Sequence, residues 1–241
     1  MKNVLITGVS KGLGIKIAKK CLAKDYTIWG LSRSKTEELS ELINNYPDRF
    51  IWKSCDLSNP GRLKEDLFKD FINFDVKLDG FVNNAAVAYD DIITNVNLER
   101  LTKMVQINVF APIILTKNVI RNMLLHQTKG SIVHISSISA HTGYKGLAMY
   151  ASTKGALEAF SKNTAREWGE RGIRSNCVVA GFMDTEMSAS LDSENKDRIY
   201  RRTALKKPVS IQSVADTVEF LLSEKSCDIT GQNIFVDSGT I

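Results

Sequence analysis

The sequence predicts a doubly wound α/β fold, in which a seven-stranded parallel sheet carries helices on both faces. Three observations lead to it. Seven short apolar, β-rich runs recur along the 241 residues, at 3–7, 27–31, 50–54, 80–83, 131–136, 174–179 and 233–236. Most are separated by longer stretches whose apolar residues recur at helical spacing, the alternation expected of βα units. The first run ends in a glycine-rich turn that opens a helix.

Each element follows from local pattern. Asn3-Val4-Leu5-Ile6-Thr7 reads as a buried strand, and Leu13, Ile17 and Cys21 mark one face of the helix that follows. Leu39, Leu42 and Ile43 do the same after the second strand. A helical region at 96–126 precedes the fifth strand, and a helix at 150–168 follows it. Right-handed crossovers then distribute these helices over both faces of the sheet. The segment 182–207 is polar and charged, and is expected to be a mobile lid between the sixth strand and the last helix.

A chain of this length with 43% apolar residues can bury a full core. With four prolines, no repeat and no linker-like tract, residues 1–241 are expected to form one domain. Cys21, Cys55, Cys177 and Cys227 form no CxxC pair, and His126, His134 and His141 add no metal-ligand spacing, so no metal is expected. The net charge of +5 comes without a long basic tract and demands no nucleic acid. The N-terminal apolar run is too short for a signal peptide, and no window reaches the length of a membrane span. The expectation is a cytoplasmic protein with no membrane partner.

In Gly8-Val9-Ser10-Lys11-Gly12-Leu13-Gly14, three glycines sit where a strand turns into a helix N-terminus. Such a turn brings backbone N–H groups and the positive end of the helix dipole to a pyrophosphate. The second strand is followed by Ser32-Arg33-Ser34 rather than by the acid that would accept from the ribose hydroxyls of NAD. Ser32 offers a hydroxyl and Arg33 a guanidinium to a ribose 2′-phosphate, with Lys11 as a second cation, so NADP(H) is the expected cofactor. Asp56 and Leu57 follow the third strand, and Asn83 and Ala85 follow the fourth, on the same rim. Asp56 is placed to accept from the adenine amino group or to cap the next helix, while Asn83 and Ala85 offer backbone groups to the ribose.

Tyr150 and Lys154 are i and i+4 on one helix face, thirteen residues beyond Ser137. Tyrosine and lysine at this spacing are ordinary on a helix; the glycine turn and Ser137 give the pair its meaning. An adjacent ammonium favours phenolate and is expected to bring the tyrosine pKa down from about 10, making Tyr150 a usable acid or base. Ser137 is expected to hold the substrate oxygen beside it.

Together these residues resemble the short-chain dehydrogenase/reductases along essentially the whole chain. The resemblance runs through Thr7-Gly8-x-x-x-Gly12-x-Gly14, Asn83-Asn84-Ala85, Asn108, Ser137, Tyr150-x-x-x-Lys154, Ile229-Thr230-Gly231-Gln232 and Val236-Asp237. It implies a single-domain Rossmann fold, a catalytic set of Asn108, Ser137, Tyr150 and Lys154, and a ribose contact for Tyr150 and Lys154. It further implies that Asn108 supports a water relaying protons to the lysine. In Gly181-Phe182-Met183-Asp184-Thr185-Glu186-Met187 it places Met183 at the carboxamide and Thr185 at a cofactor phosphate. Ala86 and Ala180 depart from the family's usual glycine and proline, which bears on the cleft and on the base of the lid.

Within the family the chain looks most like 3-oxoacyl-(acyl-carrier-protein) reductases of fatty acid biosynthesis. The implied activity is NADPH-dependent reduction of 3-oxoacyl thioesters by a homotetramer, with helices at 96–126 and 152–168 forming one interface. Lys129, Arg171 and the cations between Arg198 and Lys207 would steer an acidic carrier protein. The alternatives are an NADP-linked dehydrogenase of a sugar or small alcohol, and a non-catalytic NADP-binding protein. The presence of Asn108, Ser137, Tyr150 and Lys154 speaks against the last. Ala86, His141, Tyr144 and Met187 are expected around the substrate cleft.

Overall fold

The computed structural model describes residues 1–73, 75–185 and 192–241. All seven expected strands are present: β1 (Asn3–Thr7), β2 (Thr27–Ser32), β3 (Phe50–Ser54), β4 (Gly80–Asn83), β5 (Ser131–Ser137), β6 (Arg174–Ala180) and β7 (Asn233–Val236). They form one parallel sheet in the order β3-β2-β1-β4-β5-β6-β7. Strands β2, β5 and β6 each run one residue further than the hydrophobic pattern predicts. Pairing carries them on, with Ser32 opposite Ser54 and Ser137 opposite Ala180. The chain reverses direction across the sheet between β1 and β4, and in such sheets ligands bind at that switch point, beyond the carboxyl ends of the strands.

Alternate side chains of each strand enter opposite cores. Val4, Ile6, Ile28, Val133 and Val178 pack against Ile17 of helix α1 (Gly12–Leu22) and Val214 and Val218 of helix α8 (Ile211–Leu222). Leu5, Leu31, Phe81 and Ile132 pack on the other face against Leu67 of α3 (Leu63–Phe68) and Leu115 and Val119 of α5 (Ala111–Leu125). Between β2 and β3 lies α2 (Glu37–Asn45), whose N-cap Thr36 accepts from Leu39 N. Thr36 also donates to Ser10 O at 2.6 Å, joining the glycine turn to the start of α2.

The helical region expected at 96–126 is not continuous. α4 (Leu98–Val105) passes into a π-helical turn at Gln106–Phe110 before α5 begins. A π-turn loosens the backbone ladder, and such turns recur at functional sites. Helix α6 (Ala148–Trp168) starts two residues before Tyr150, so the tyrosine sits in its first turn. In the segment expected to be a lid, the described part forms α7 (Ser193–Arg202), capped by Asp192; Glu186 and Met187 lie outside the described residues. The base of this segment is fixed despite Ala180. Ala180 pairs with Val236, and Gly181 N donates to Val236 O at 2.9 Å. All four cysteines are free, and among the described residues no helix is long and apolar enough to cross a membrane.

Candidate active site

A cavity of about 780 Å³ opens along the carboxyl ends of the strands. At one end the backbone alone shapes it. Gly8 has φ +74, and a Cβ on Gly14 would lie 1.9 Å from Gly8 O and 2.6 Å from Asn84 Nδ2. No larger residue fits at Gly14, so α1 begins hard against the turn, the close approach a pyrophosphate cradle requires. Thr7 Oγ1 accepts from Asn84 N and Ala85 N, both at 3.0 Å, and Asn84 Nδ2 returns bonds to Thr7 O and Gly8 O at 3.0 and 3.2 Å. These four bonds weld the end of β1 to the end of β4 beside the turn.

Ser10, Lys11, Gly12 and Leu13 line the same end, with Ser32, Arg33, Asp56, Leu57 and Ala85 beyond them. Asn83 does not line the cavity. Strand alternation sends its side chain toward β5, where Nδ2 lies 3.4 Å from His134 Nδ1, and Asn84 takes its place on the wall. On this wall Asn84 is the side chain the sequence reasoning does not single out; the doubled asparagine at a strand end is its signal, since consecutive residues face opposite sides.

Ser32 also differs from expectation. Its hydroxyl accepts from Trp52 Nε1 and donates to Ser34 O, both at 2.9 Å, so its one proton is committed within the chain. Ser54 Oγ donates to Arg33 O at 2.9 Å. Ser32, Trp52 and Ser54 therefore hold the loop that presents Arg33. Asp56 Oδ1 accepts from Ser58 N at 2.9 Å, making it a turn cap. That bond, helped by the Arg33 and Lys103 cations, holds its carboxyl below the usual carboxylate range.

Ser137, Tyr150 and Lys154 line the far half of the cavity, with Met183 and Thr185 opposite. Ser137 Oγ accepts from Ser139 N at 3.2 Å and from Ser139 Oγ at 3.1 Å, which leaves its own proton to donate. Lys154 is buried; its Nζ donates to Ile135 O at 2.8 Å and lies 5.5 Å from the centroid of the Tyr150 ring. Burial pushes the Lys154 ammonium down to about 8. The expected lowering of Tyr150 is not seen: burial, aided by the Asp90 carboxylate, pushes the phenol up to about 12. The i,i+4 spacing brings the ammonium alongside the ring, but desolvation of the phenolate outweighs it.

Asn108 sits behind this wall, within the π-turn. Its side chain accepts from Val87 N at 2.9 Å and donates to Val87 O at 2.8 Å and to Thr153 Oγ1 at 3.1 Å. It ties the segment after β4 to α6. Around the substrate end, Ala86 and Tyr144 line the cavity as expected, joined by Asp90, Lys145 and Phe182. His141 does not: it turns away to Glu158, 2.8 Å from Nε2. Among the described residues no cluster of three or more His, Cys, Asp or Glu could hold a metal ion.

A glycine turn at the switch point, continuous with a wall carrying serine, tyrosine and lysine, defines an NAD(P)-dependent oxidoreductase acting on CH–OH or C=O groups. Residues 8–240 match the family profile described as enoyl-(acyl-carrier-protein) reductase. The chain is 32% identical to the 3-oxoacyl-(acyl-carrier-protein) reductase FabG of Aquifex aeolicus, over 99% of this chain and 96% of that protein. It is 31% identical to the uncharacterized oxidoreductase YmfI of Bacillus subtilis, over 99% and 98%. Among solved structures it resembles ElxO with NADP bound, with a TM-score of 0.86 and 29% identity over 99% of this chain and 98% of that one. The chain belongs to the short-chain dehydrogenase/reductase family.

Proposed function

We propose that the protein is an NADPH-dependent carbonyl reductase that converts 3-oxoacyl thioesters to 3-hydroxyacyl thioesters, with Ser137, Tyr150 and Lys154 as its catalytic residues and Asn108 behind them. The observation that carries this reading is the continuity of the cavity from the glycine turn to Tyr150. The FabG relatives favour the thioester, and ElxO favours the phosphorylated cofactor.

The glycine turn would receive the pyrophosphate, Arg33 and Lys11 the 2′-phosphate, and Lys154 the nicotinamide ribose. Met183 and Thr185 would face the carboxamide and a phosphate. When bound, NADPH supplies hydride to the carbonyl carbon. Ser137 keeps its proton and donates a hydrogen bond to the carbonyl oxygen, which orients it. Tyr150 then passes its phenolic proton to that oxygen as charge builds. Burial keeps the phenol protonated near neutrality, the state a proton donor needs. Lys154, held by Ile135 O, stabilises the phenolate that remains. Replacing Tyr150 by Phe should leave NADPH binding intact and remove most turnover with a panel of ketones and 3-oxoacyl thioesters; unimpaired turnover rules the assignment out.

Residues 1–241 act as one catalytic domain, with 182–207 as a lid over the substrate. Lys196–Asp184 at 2.7 Å and the Phe182–Tyr200 ring contact at 5.9 Å hold the described part of that lid together. We place the enzyme in the cytoplasm as a homotetramer. An acidic carrier protein would be steered by Lys129, Arg171 and the cations from Arg198 to Lys207. Arg171→Glu should slow reduction of a carrier-bound substrate, increasingly so at low salt, while sparing a pantetheine analogue; equal losses on both remove the docking idea. Asp90 and Tyr144 in the cavity wall favour a second reading, an NADP-linked dehydrogenase of a sugar or small alcohol whose hydroxyls they would bind.

A further inference from the structure

Glu158 stands one helical turn beyond Lys154 on α6 and is 9% exposed. A buried carboxylate is costly unless it is paired and hydrogen-bonded, and this one is bonded on every side. Ser136 Oγ, at the end of β5 and next to Ser137, donates to Oε1. His141 Nε2, from the loop after β5, lies 2.8 Å from Oε2, and Asn233 Nδ2 of β7 donates to the same oxygen at 2.7 Å. The His141 ring is braced edge-on by Phe235 of β7, with centroids 4.8 Å apart. One carboxylate thus joins the helix that carries Tyr150 and Lys154, the strand end that carries Ser137, and the loop that leads to Tyr144. The catalytic chemistry described above uses neither Glu158 nor His141.

We propose that Glu158 is a positioning residue of the reductase: bonded at once to Ser136, His141 and Asn233, it fixes the Ser136–Ser137 strand end against α6 and lays its carboxylate one turn along the helix from the Lys154 ammonium. The inference rests on the roles given to Ser137, Tyr150 and Lys154 under the proposed function. The groups around the Glu158–Lys154 pair are Ser136 from β5, His141 from the following loop, Cys177 from β6 and Asn233 from β7, with His134 close to Lys154. Burial pushes the Cys177 thiol up to about 12 and the His134 imidazole down to about 3, so both are neutral near pH 7. After burial, Cys177 and then Glu158 act on Lys154, both raising it; with the Cys177 thiol neutral near pH 7, the Glu158 carboxylate is the charge that remains to oppose the desolvation.

The sign of the effect follows. Burial lowers the Lys154 pKa and the Glu158 charge raises it, so removing that charge lowers it further. In carbonyl reduction by the full chain, kcat should fall on the alkaline side as Lys154 loses its proton. Glu158→Gln should move that limb to lower pH and reduce kcat severalfold, with KM for NADPH held. Glu158→Asp keeps the charge and should return the limb toward its wild-type position. A Glu158→Gln profile that superimposes on wild type, or equal displacement in Glu158→Asp and Glu158→Gln, overturns the proposal. Should Glu158→Gln fail to fold, Ser136→Ala removes one partner and leaves the charge. It should then lower kcat with KM for NADPH and thermal stability unchanged; an unchanged kcat overturns the proposal. Undiminished turnover in Tyr150→Phe counts against the proposed function instead, and is read independently of the Glu158 variants.

Discussion

Replacing Arg33 by Ala tests how this chain would tell NADPH from NADH. The loop that carries Arg33 is held at three points: Trp52 Nε1 to Ser32 Oγ, Ser32 Oγ to Ser34 O, and Ser54 Oγ to Arg33 O, each at 2.9 Å. With the Ser32 proton spent on Ser34, discrimination would fall to the Arg33 guanidinium and to Lys11 across the cavity, as the proposed function has it. A charge-assisted hydrogen bond contributes about 1.5–3 kcal/mol, and the exposed position of Arg33 argues for the lower end. At roughly 1.4 kcal/mol per tenfold, the variant should bind NADPH about tenfold more weakly while its affinity for NADH stays the same. Fluorescence titration of both cofactors at fixed ionic strength measures this. Parallel losses for NADPH and NADH, or no loss for either, would refute the assignment of Arg33 to the 2′-phosphate. Trp52→Phe removes one of the three anchors of this loop and should weaken NADPH in the same selective way, by a smaller factor.

Two other outcomes follow from the buried titratable groups. The Asp90 carboxylate raises the Tyr150 pKa, so Asp90→Asn should lower it and move the base limb of alcohol oxidation to lower pH; an unmoved limb means that Asp90 does not face the phenol. Burial holds the His134 imidazole at about 3, well below its unfolded value near 6.5. Below pH 6.5 the unfolded chain therefore takes up a proton that the folded chain refuses, and stability falls with pH. By pH 5 the loss is about 2 kcal/mol, and denaturant titrations of His134→Leu at pH 7 and pH 5 should lack it; equal losses in both proteins would show that His134 is not buried neutral.

Much of the site is legible in the residues because its chemistry depends on local spacing. Gly8, Gly12 and Gly14 need only a strand, a turn and a helix in succession, and Tyr150 and Lys154 need only a helical turn. Ser137 belongs to this group by its place at a strand end. Where side chains point was decided by contacts that the tertiary structure makes. Asn83 and Asn84 are equivalent by composition, and the register of β4 against β5 turned the first toward His134 and left the second on the cavity wall. Ser32 lines the cavity, and its hydroxyl donates to Ser34 O and accepts from Trp52, twenty residues on. His141 was expected in the cleft and is drawn away by Glu158.

The sequence by itself determined the order and kind of the elements, the glycine turn, and the Ser137, Tyr150 and Lys154 set. These follow from backbone propensity and from residue periodicities of two and 3.6, which act over a few positions. Only the tertiary structure decided the electrostatics of the set. Whether Lys154 lowers the Tyr150 phenol or burial raises it depends on how much water the packed helix and strand ends exclude, and on where the Asp90 and Glu158 charges come to rest. Desolvation is a property of the assembled interior, to which distant segments contribute together, and no local pattern in the chain encodes it.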